Sequence, residues 1–268
     1  MKQILSIQDL SCLGKCSLTV ALPVLSAMGC TCTPLPTAVL SSHTGFPAPH
    51  IRKLTGDMTA ICRHWQAVGA RFDAISVGYL ADASQTAAVE AVLDAFDAVT
   101  VIDPVMADHG KLYSGLDACH VEAMKQLCRK GNILLPNVTE AALLTGLPYR
   151  EAAEDGYYRE LLDAMGSFGA DAVIITGVSR GAGKTGFVGH HRTAGEFSYT
   201  ADRITRQCHG TGDLFAAVFT GAYVRGKSVY AAAVLAAQFA EQVLSATEAP
   251  SAFGAEFETQ LPWLWQQL

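Results

Sequence analysis

Short runs of apolar, often β-branched residues recur along the chain, and between them lie longer stretches in which apolar positions return every three or four residues. Residues 3–7, 74–77, 99–102, 133–135 and 172–176 are nearly continuously apolar, as strands buried on both faces are. Residues 18–28, 84–96, 116–128 and 158–168 carry helical periodicity, so strand and helix alternate. The pattern predicts an α/β fold: a central, mostly parallel sheet flanked by helices on both faces. Two strand-like runs, 184–188 and 196–200, are joined by a polar, His-rich turn and predict one antiparallel hairpin late in the sheet. Residues 211–223 and 228–244 predict two successive helices, the second capped by Ser228. The tail 261–268, with Trp263 and Trp265, is expected to dock on the body or to meet another copy. With no repeat, low-complexity segment or linker, residues 1–268 are read as a single domain.

Composition narrows the function. Half of the 268 residues are hydrophobic and 16% are charged, which supplies a large core and excludes disorder. Nineteen Lys and Arg against 25 Asp and Glu give a net charge of −6, so nucleic acid is not the expected partner. The eight cysteines form no paired CxxC units and are read as reduced thiols of a cytoplasmic protein, not as disulfides or a zinc site. The first residues lack the features of an export signal, and no apolar run approaches the ~20 residues of a membrane span, so no membrane association is expected.

In an open parallel sheet, ligands bind outside the carboxyl ends of the strands. The residues expected at that rim are polar or glycine: Asp9 and Gly14, Gly78 and Tyr79, Asp103 and Met106, Asn137 and Glu140, Thr176 and Gly177. Gln207-Cys208-His209-Gly210-Thr211-Gly212-Asp213 is a glycine-rich turn running directly into an amphipathic helix. Converging backbone N–H groups and the positive end of the helix dipole make an anion hole there, sized for phosphate. Asp213 in the first turn serves either as a base that takes a proton from a substrate hydroxyl or as a helix-capping aspartate.

Other motifs carry two readings each. In Val101-Ile102-Asp103-Pro104 a buried strand delivers Asp103 to the rim and proline stops the strand, giving either a magnesium-side carboxylate or a turn aspartate. Asn137 and Glu140 have the spacing of a capping box, which competes with metal or phosphate chemistry. The Ser42-His43-Thr44-Gly45 stretch fits a small polar substrate or an ordinary turn. Gly181-Ala182-Gly183-Lys184-Thr185 departs from a P-loop, because Val178 stands where its first glycine belongs and a hairpin follows. His190 and His191 are expected to face solvent from a hairpin turn, and residues 107–114 and 203–209 are the candidates for a closing lid.

Taken in order over nearly the whole chain, Ile7-Gln8-Asp9 with Gly14, Ser42-His43-Thr44, Gly78-Tyr79-Leu80, Asp103-Pro104-Val105-Met106, Pro136-Asn137-Val138-Thr139-Glu140 and Gly210-Thr211-Gly212-Asp213 resemble the ribokinase-like superfamily, specifically the pyridoxal kinases. The resemblance implies a three-layer sandwich and ATP-dependent phosphorylation of the 5′-hydroxymethyl group of pyridoxal, pyridoxamine or pyridoxine, a vitamin B6 salvage step. It implies Mg2+, a monovalent cation and a homodimer. By carry-over Asp213 is the catalytic base, and Gly210, Thr211 and Gly212 form the anion hole. Asp103, Asn137 and Glu140 serve the phosphates, with Asp103 and Glu140 holding metal directly or through water. Thr176, Arg206, Gln207, Cys208 and His209 contact nucleotide, while Asp9, Thr44 and Tyr79 line the vitamer pocket. The family usually carries serine where this chain has Asp9, and the carboxylate favours a protonated ring nitrogen or the ammonium of pyridoxamine, which implies a relative preference for pyridoxamine. The alternatives are a hydroxymethylpyrimidine kinase or another small-molecule kinase of the same fold, and a non-catalytic nucleotide sensor. The cysteine found at the helix start of some hydroxymethylpyrimidine kinases is absent, since Leu214 follows Asp213.

Overall fold

A computed structural model describes residues 1–181, 183–206, 208–249 and 251–268. In chain order the elements are β1 (Lys2–Ser11), α1 (Leu18–Ala27), β2 (Cys30–Leu40), β3 (Ile51–Lys53), α2 (Thr55–Ala67), β4 (Ala74–Val77), α3 (Gln85–Ala95), β5 (Val99–Ile102), β6 (Ala107–Asp108), β7 (Lys111–Leu112), α4 (Ala118–Cys128) and β8 (Ile133–Leu134). There follow α5 (Val138–Thr145), α6 (Asp155–Met165), β9 (Ala172–Val178), β10 (Lys184–His191), β11 (Gly195–Asp202), α7 (Thr211–Val224), α8 (Val229–Ala246) and α9 (Leu261–Gln266).

One nine-stranded sheet has the order β11-β10-β9-β8-β5-β4-β1-β2-β3. The strands from β9 across to β2 run parallel, as their continuous apolar sequences require. The late hairpin forms as expected, with β10 antiparallel to both β9 and β11. A second antiparallel edge, β3 on β2, lies beyond the sequence reading. Pro34 and Pro36 mask β2 as a strand. They fit because β3 covers only Ala38–Leu40, leaving an open edge where a missing N–H costs nothing. α2 is masked too, since it buries only Met58 and Cys62.

Each face of the sheet carries its own core. Leu5, Ile7, Ile75, Val77, Ile102 and Leu134 face α2 to α6, packing on Met58, Val89, Met124 and Leu161. Ile4, Val101, Ile133 and Ile174 face α1, α7, α8 and α9, packing on Val24, Val218, Phe239 and Leu264. The result is the expected three-layer sandwich of helix, sheet and helix. α8 is long and apolar enough to cross a membrane by length and composition, yet it buries Ala232, Ala236, Phe239 and Val243 against α7 and the sheet, the pattern of a core helix. The C-terminal tail docks through Leu264, fully buried, and through Trp263 stacked on Phe239, while Trp265 stays exposed. All eight cysteines are free thiols.

Candidate active site

The carboxyl ends of β1, β4, β5, β8 and β9 and the heads of α5 and α7 open into one cavity of about 490 Å³. Gly210 shapes its floor. It caps α7 with φ 85°, and a Cβ there would lie 2.1 Å from the Lys15 carbonyl oxygen, so only glycine lets the loop after β1 close on the helix. The first helical hydrogen bond of α7 is Leu214 N–H to the Gly210 carbonyl. Among the described residues the N–H groups of Thr211, Gly212 and Asp213 find no backbone acceptor, and all three residues line the cavity, as the donor set of an anion hole would.

Asp213 stands beside those donors. Burial raises its carboxyl to about 7, the charge of Asp9 adds to the rise, and the Ser17 N–H opposes it. A carboxylate poised there exchanges a proton near neutral pH. Asp103, delivered by β5, is raised well above the carboxylate range by burial first and then by Glu140 and Asp213. Glu140 rises with it, again through burial first. Two neighbouring carboxyls that resist joint ionisation suit a cation placed between them and a phosphate.

The competing readings of Asn137 and Glu140 resolve by hydrogen bonding. The capping box forms in full: Glu140 N–H donates to Asn137 Oδ1 and Asn137 N–H donates to Glu140 Oε2, both at 2.9 Å. Met106 N–H adds a bond to Glu140 Oε1 at 3.0 Å, and Asn137 Nδ2 donates to the Ala107 carbonyl at 2.8 Å. Asn137 therefore spends its side chain on α5 and on β6. Ala107 N–H is a third donor to Glu140, at 3.4 Å from Oε1, which leaves one lone pair on Oε2 for a ligand.

At one end of the cavity Asp9, Ser11, Ser17, His43, Thr44 and Tyr79 converge. Asp9 lies inside β1 and not beyond it, because pairing with β2 continues past a register shift at Gln8/Leu10 to Ser11. Tyr79 is pushed up to about 12 by burial and by the charges of Asp9 and Asp82. The His43 ring lies 4.4 Å from the His209 ring, so the 41–50 loop rests on the segment that enters α7. At the other end Thr176, Gly177, Thr185, Phe187, Glu241 and Leu244 form a partly apolar wall.

Among the described lining residues there are six carboxylates, Asp9, Asp103, Asp108, Glu140, Asp213 and Glu241, and neither lysine nor arginine. No group of three or more His, Cys, Asp or Glu among the described residues forms a ready-made metal cage. That donor set fits magnesium, which is commonly held by one or two carboxylates and completed by phosphate and water.

The phosphomethylpyrimidine kinase family matches residues 21–256. The chain belongs to that family. A protein of Bacteroides thetaiotaomicron solved with pyridoxal superposes on this kinase with TM-score 0.93 at 34% identity, covering 99% of this chain and 96% of that one. Pyridoxal kinase from Lactobacillus plantarum superposes with TM-score 0.90 at 31% identity over 99% and 97% of the two chains. Pyridoxal kinase of Arabidopsis thaliana is 28% identical over 82% of this chain and 73% of its own.

In this family member the expected site residues Asp9, Thr44, Tyr79, Asp103, Asn137, Glu140, Thr176 and Cys208 to Asp213 all line the cavity. Arg206 is engaged elsewhere: its guanidinium donates to the carbonyls of Leu244 and Ser245, binding the end of α8. Gln207 lies outside the described residues. His190 is exposed at the end of β10, and His191 precedes the turn, where its Nδ1 accepts the Thr193 and Ala194 N–H groups. Sequence reasoning missed Ser11, Ser17, Phe187, Glu241 and Leu244. Ser17 has a signal only in its backbone, φ 53°. Phe187, Glu241 and Leu244 come from elements whose periodicity marks a strand and a helix, with no motif to show which turn faces a ligand.

Proposed function

We infer that this kinase transfers the terminal phosphoryl group of ATP to the 5′-hydroxymethyl group of pyridoxal, pyridoxamine or pyridoxine. The observation that carries the reading is Asp213 at the head of α7, with N–H groups that find no backbone acceptor among the described residues on one side and the Asp9, Thr44 and Tyr79 pocket on the other. Kinship with kinases named for pyridoxal, and with a protein solved holding pyridoxal, supports the substrate class.

The residues divide the work. Thr44 and Tyr79 seat the vitamer, Tyr79 by packing against its ring. Asp213 accepts the proton of the 5′-hydroxyl as its oxygen forms the bond to phosphorus and the bond from phosphorus to ADP breaks. The N–H groups of 211–213 hold the transferring phosphoryl oxygens, and the helix dipole favours their charge. Thr176, Cys208 and His209 border the nucleotide, and Phe187 and Leu244 offer its base an apolar wall. Asp103 and Glu140 would hold Mg2+, directly or through water, and magnesium would supply charge neutralisation of the phosphates in a cavity whose described lining has neither lysine nor arginine. A monovalent cation fits the same acidic rim.

We place the protein in the cytoplasm, in keeping with its eight free thiols, and read residues 1–268 as one kinase domain acting as a homodimer. Light scattering tests the last point. The function is tested by ADP release from ATP and Mg2+ with pyridoxal, pyridoxamine, pyridoxine, hydroxymethylpyrimidine and ribose, using Asp213→Asn as the blank. Turnover of the three B6 vitamers alone is expected. Turnover of hydroxymethylpyrimidine alone would move the substrate, and none at all would point to a nucleotide sensor.

A further inference from the structure

Asp9, a carboxylate of the cavity, has no part in the transfer step. Asp9 is 3% exposed, and its partners are neutral: Ser11 Oγ donates to Oδ2 at 2.8 Å, and the Ser17 hydroxyl is a second donor. None of the ion pairs among the described residues includes Asp9. The nearby His43 ring is engaged elsewhere and forms no ion pair with Asp9: its Nδ1 accepts the Gly45 N–H at 3.2 Å and its Nε2 lies 2.6 Å from the Ala252 carbonyl. A buried carboxylate without a cationic partner is costly, and here it opens into a ligand cavity lined with further acids.

We propose that Asp9 is a specificity-determining residue that binds the exocyclic ammonium of the aminomethyl vitamer, so that pyridoxamine is preferred over pyridoxal and pyridoxine. The inference rests on the vitamer-kinase reading and deepens it. Among the three vitamers only pyridoxamine carries an aliphatic amine at the position where the others have an aldehyde or a hydroxyl. Such an amine titrates well above neutrality, near the ~10 of lysine, and arrives charged. Its three N–H donors exceed the single donor of a hydroxyl and the none of an aldehyde. The ammonium would also stand within the field that Asp9 exerts on Asp213, offsetting the repulsion between those two carboxyls.

The test is the ratio of kcat/KM for pyridoxamine to that for pyridoxal, in wild type, Asp9→Ser and Asp9→Asn, with folding checked by circular dichroism and melting. Loss of a charge-assisted bond lowers the ratio by roughly 10- to 100-fold in both variants. An unchanged ratio, including an equal loss for all vitamers, overturns the proposal. A second measurement needs no variant. Pyridoxamine and pyridoxine differ by ammonium against hydroxyl, and wild type is expected to bind pyridoxamine about 10-fold tighter or better by calorimetry. Equal or weaker binding also overturns it. Failure of the wild type to phosphorylate any B6 vitamer would instead sink the functional reading, independently of that binding preference.

Discussion

Two helices of this kinase begin alike and end in opposite roles. α5 starts Asn137-Val138-Thr139-Glu140 and α7 starts Gly210-Thr211-Gly212-Asp213, each with a carboxylate at the third helical position. In α5 the cap has a side chain, and the longer Glu140 reaches back to the Asn137 N–H, so the carboxylate is anchored by backbone donors. In α7 the cap is a glycine in the left-handed region with no side chain to contribute, and only the Ser17 N–H opposes the rise of Asp213. The first arrangement builds a helix end. The second leaves both the N–H groups and the acid to a ligand. The inventory of hydrogen bonds, and not residue type or position, separates a carboxylate anchored on several backbone donors from one that has a single such donor.

Asp213→Asn is expected to have the largest effect on the head of α7. We expect kcat to fall by roughly 10²–10⁴ in steady-state assays, with nucleotide affinity by calorimetry little changed. Stability moves the other way. A carboxyl raised from 3.8 to about 7 binds its proton more tightly when folded, so its stabilising effect is complete at low pH and is lost as pH rises through that window. The variant should therefore melt above wild type at pH 8 and lose that advantage toward pH 4 by scanning calorimetry. Gly210→Ala comes next: the clash with Lys15 and the positive φ displace the head of α7, and kcat/KM should drop by at least about tenfold along with the melting temperature.

The same carboxyl predicts a pH profile. kcat/KM for the vitamer should rise with pH and level off above about 7, as Asp213 becomes the ionised base in the free enzyme, and Asp213→Asn should abolish that limb. Glu140→Gln sets an amide NH₂ against backbone N–H donors and should cost about 1–3 kcal/mol of stability in urea unfolding, with a smaller kcat loss than Asp213→Asn. Asn137→Ala removes one cap bond and should lower the melting temperature by about 2–4 °C, for about 1 kcal/mol.

The fold and the motif-bearing half of the site are legible in the sequence because local rules govern them. Continuous apolar runs mark the central parallel strands, and Gly-Thr-Gly-Asp marks a helix head whatever surrounds it. β2 and α2 escape that logic, since prolines on an open edge and a mostly exposed helix carry weak signals. Spacing alone left Asn137 and Glu140 between capping and metal chemistry, and the answer proves to include the first through bonds the sequence does not display. Arg206 shows the limit from the other side. It adjoins the anion-hole motif in sequence, yet its guanidinium turns to carbonyls of α8 nearly forty positions away, a long-range contact that no local pattern announces.

The acidic lining of the cavity bears on how the reaction ends. Transfer deposits a new phosphate on the vitamer, in a chamber whose described walls hold six acids and neither lysine nor arginine. Among the described lining residues, only the helix end with its N–H groups and the two histidines, His43 and His209, face the acids as groups that could hold the phosphorylated vitamer. The enzyme thus carries its own means of ejection: the substrate enters with little negative charge and departs with more, and Coulomb repulsion makes the second journey easier than the first.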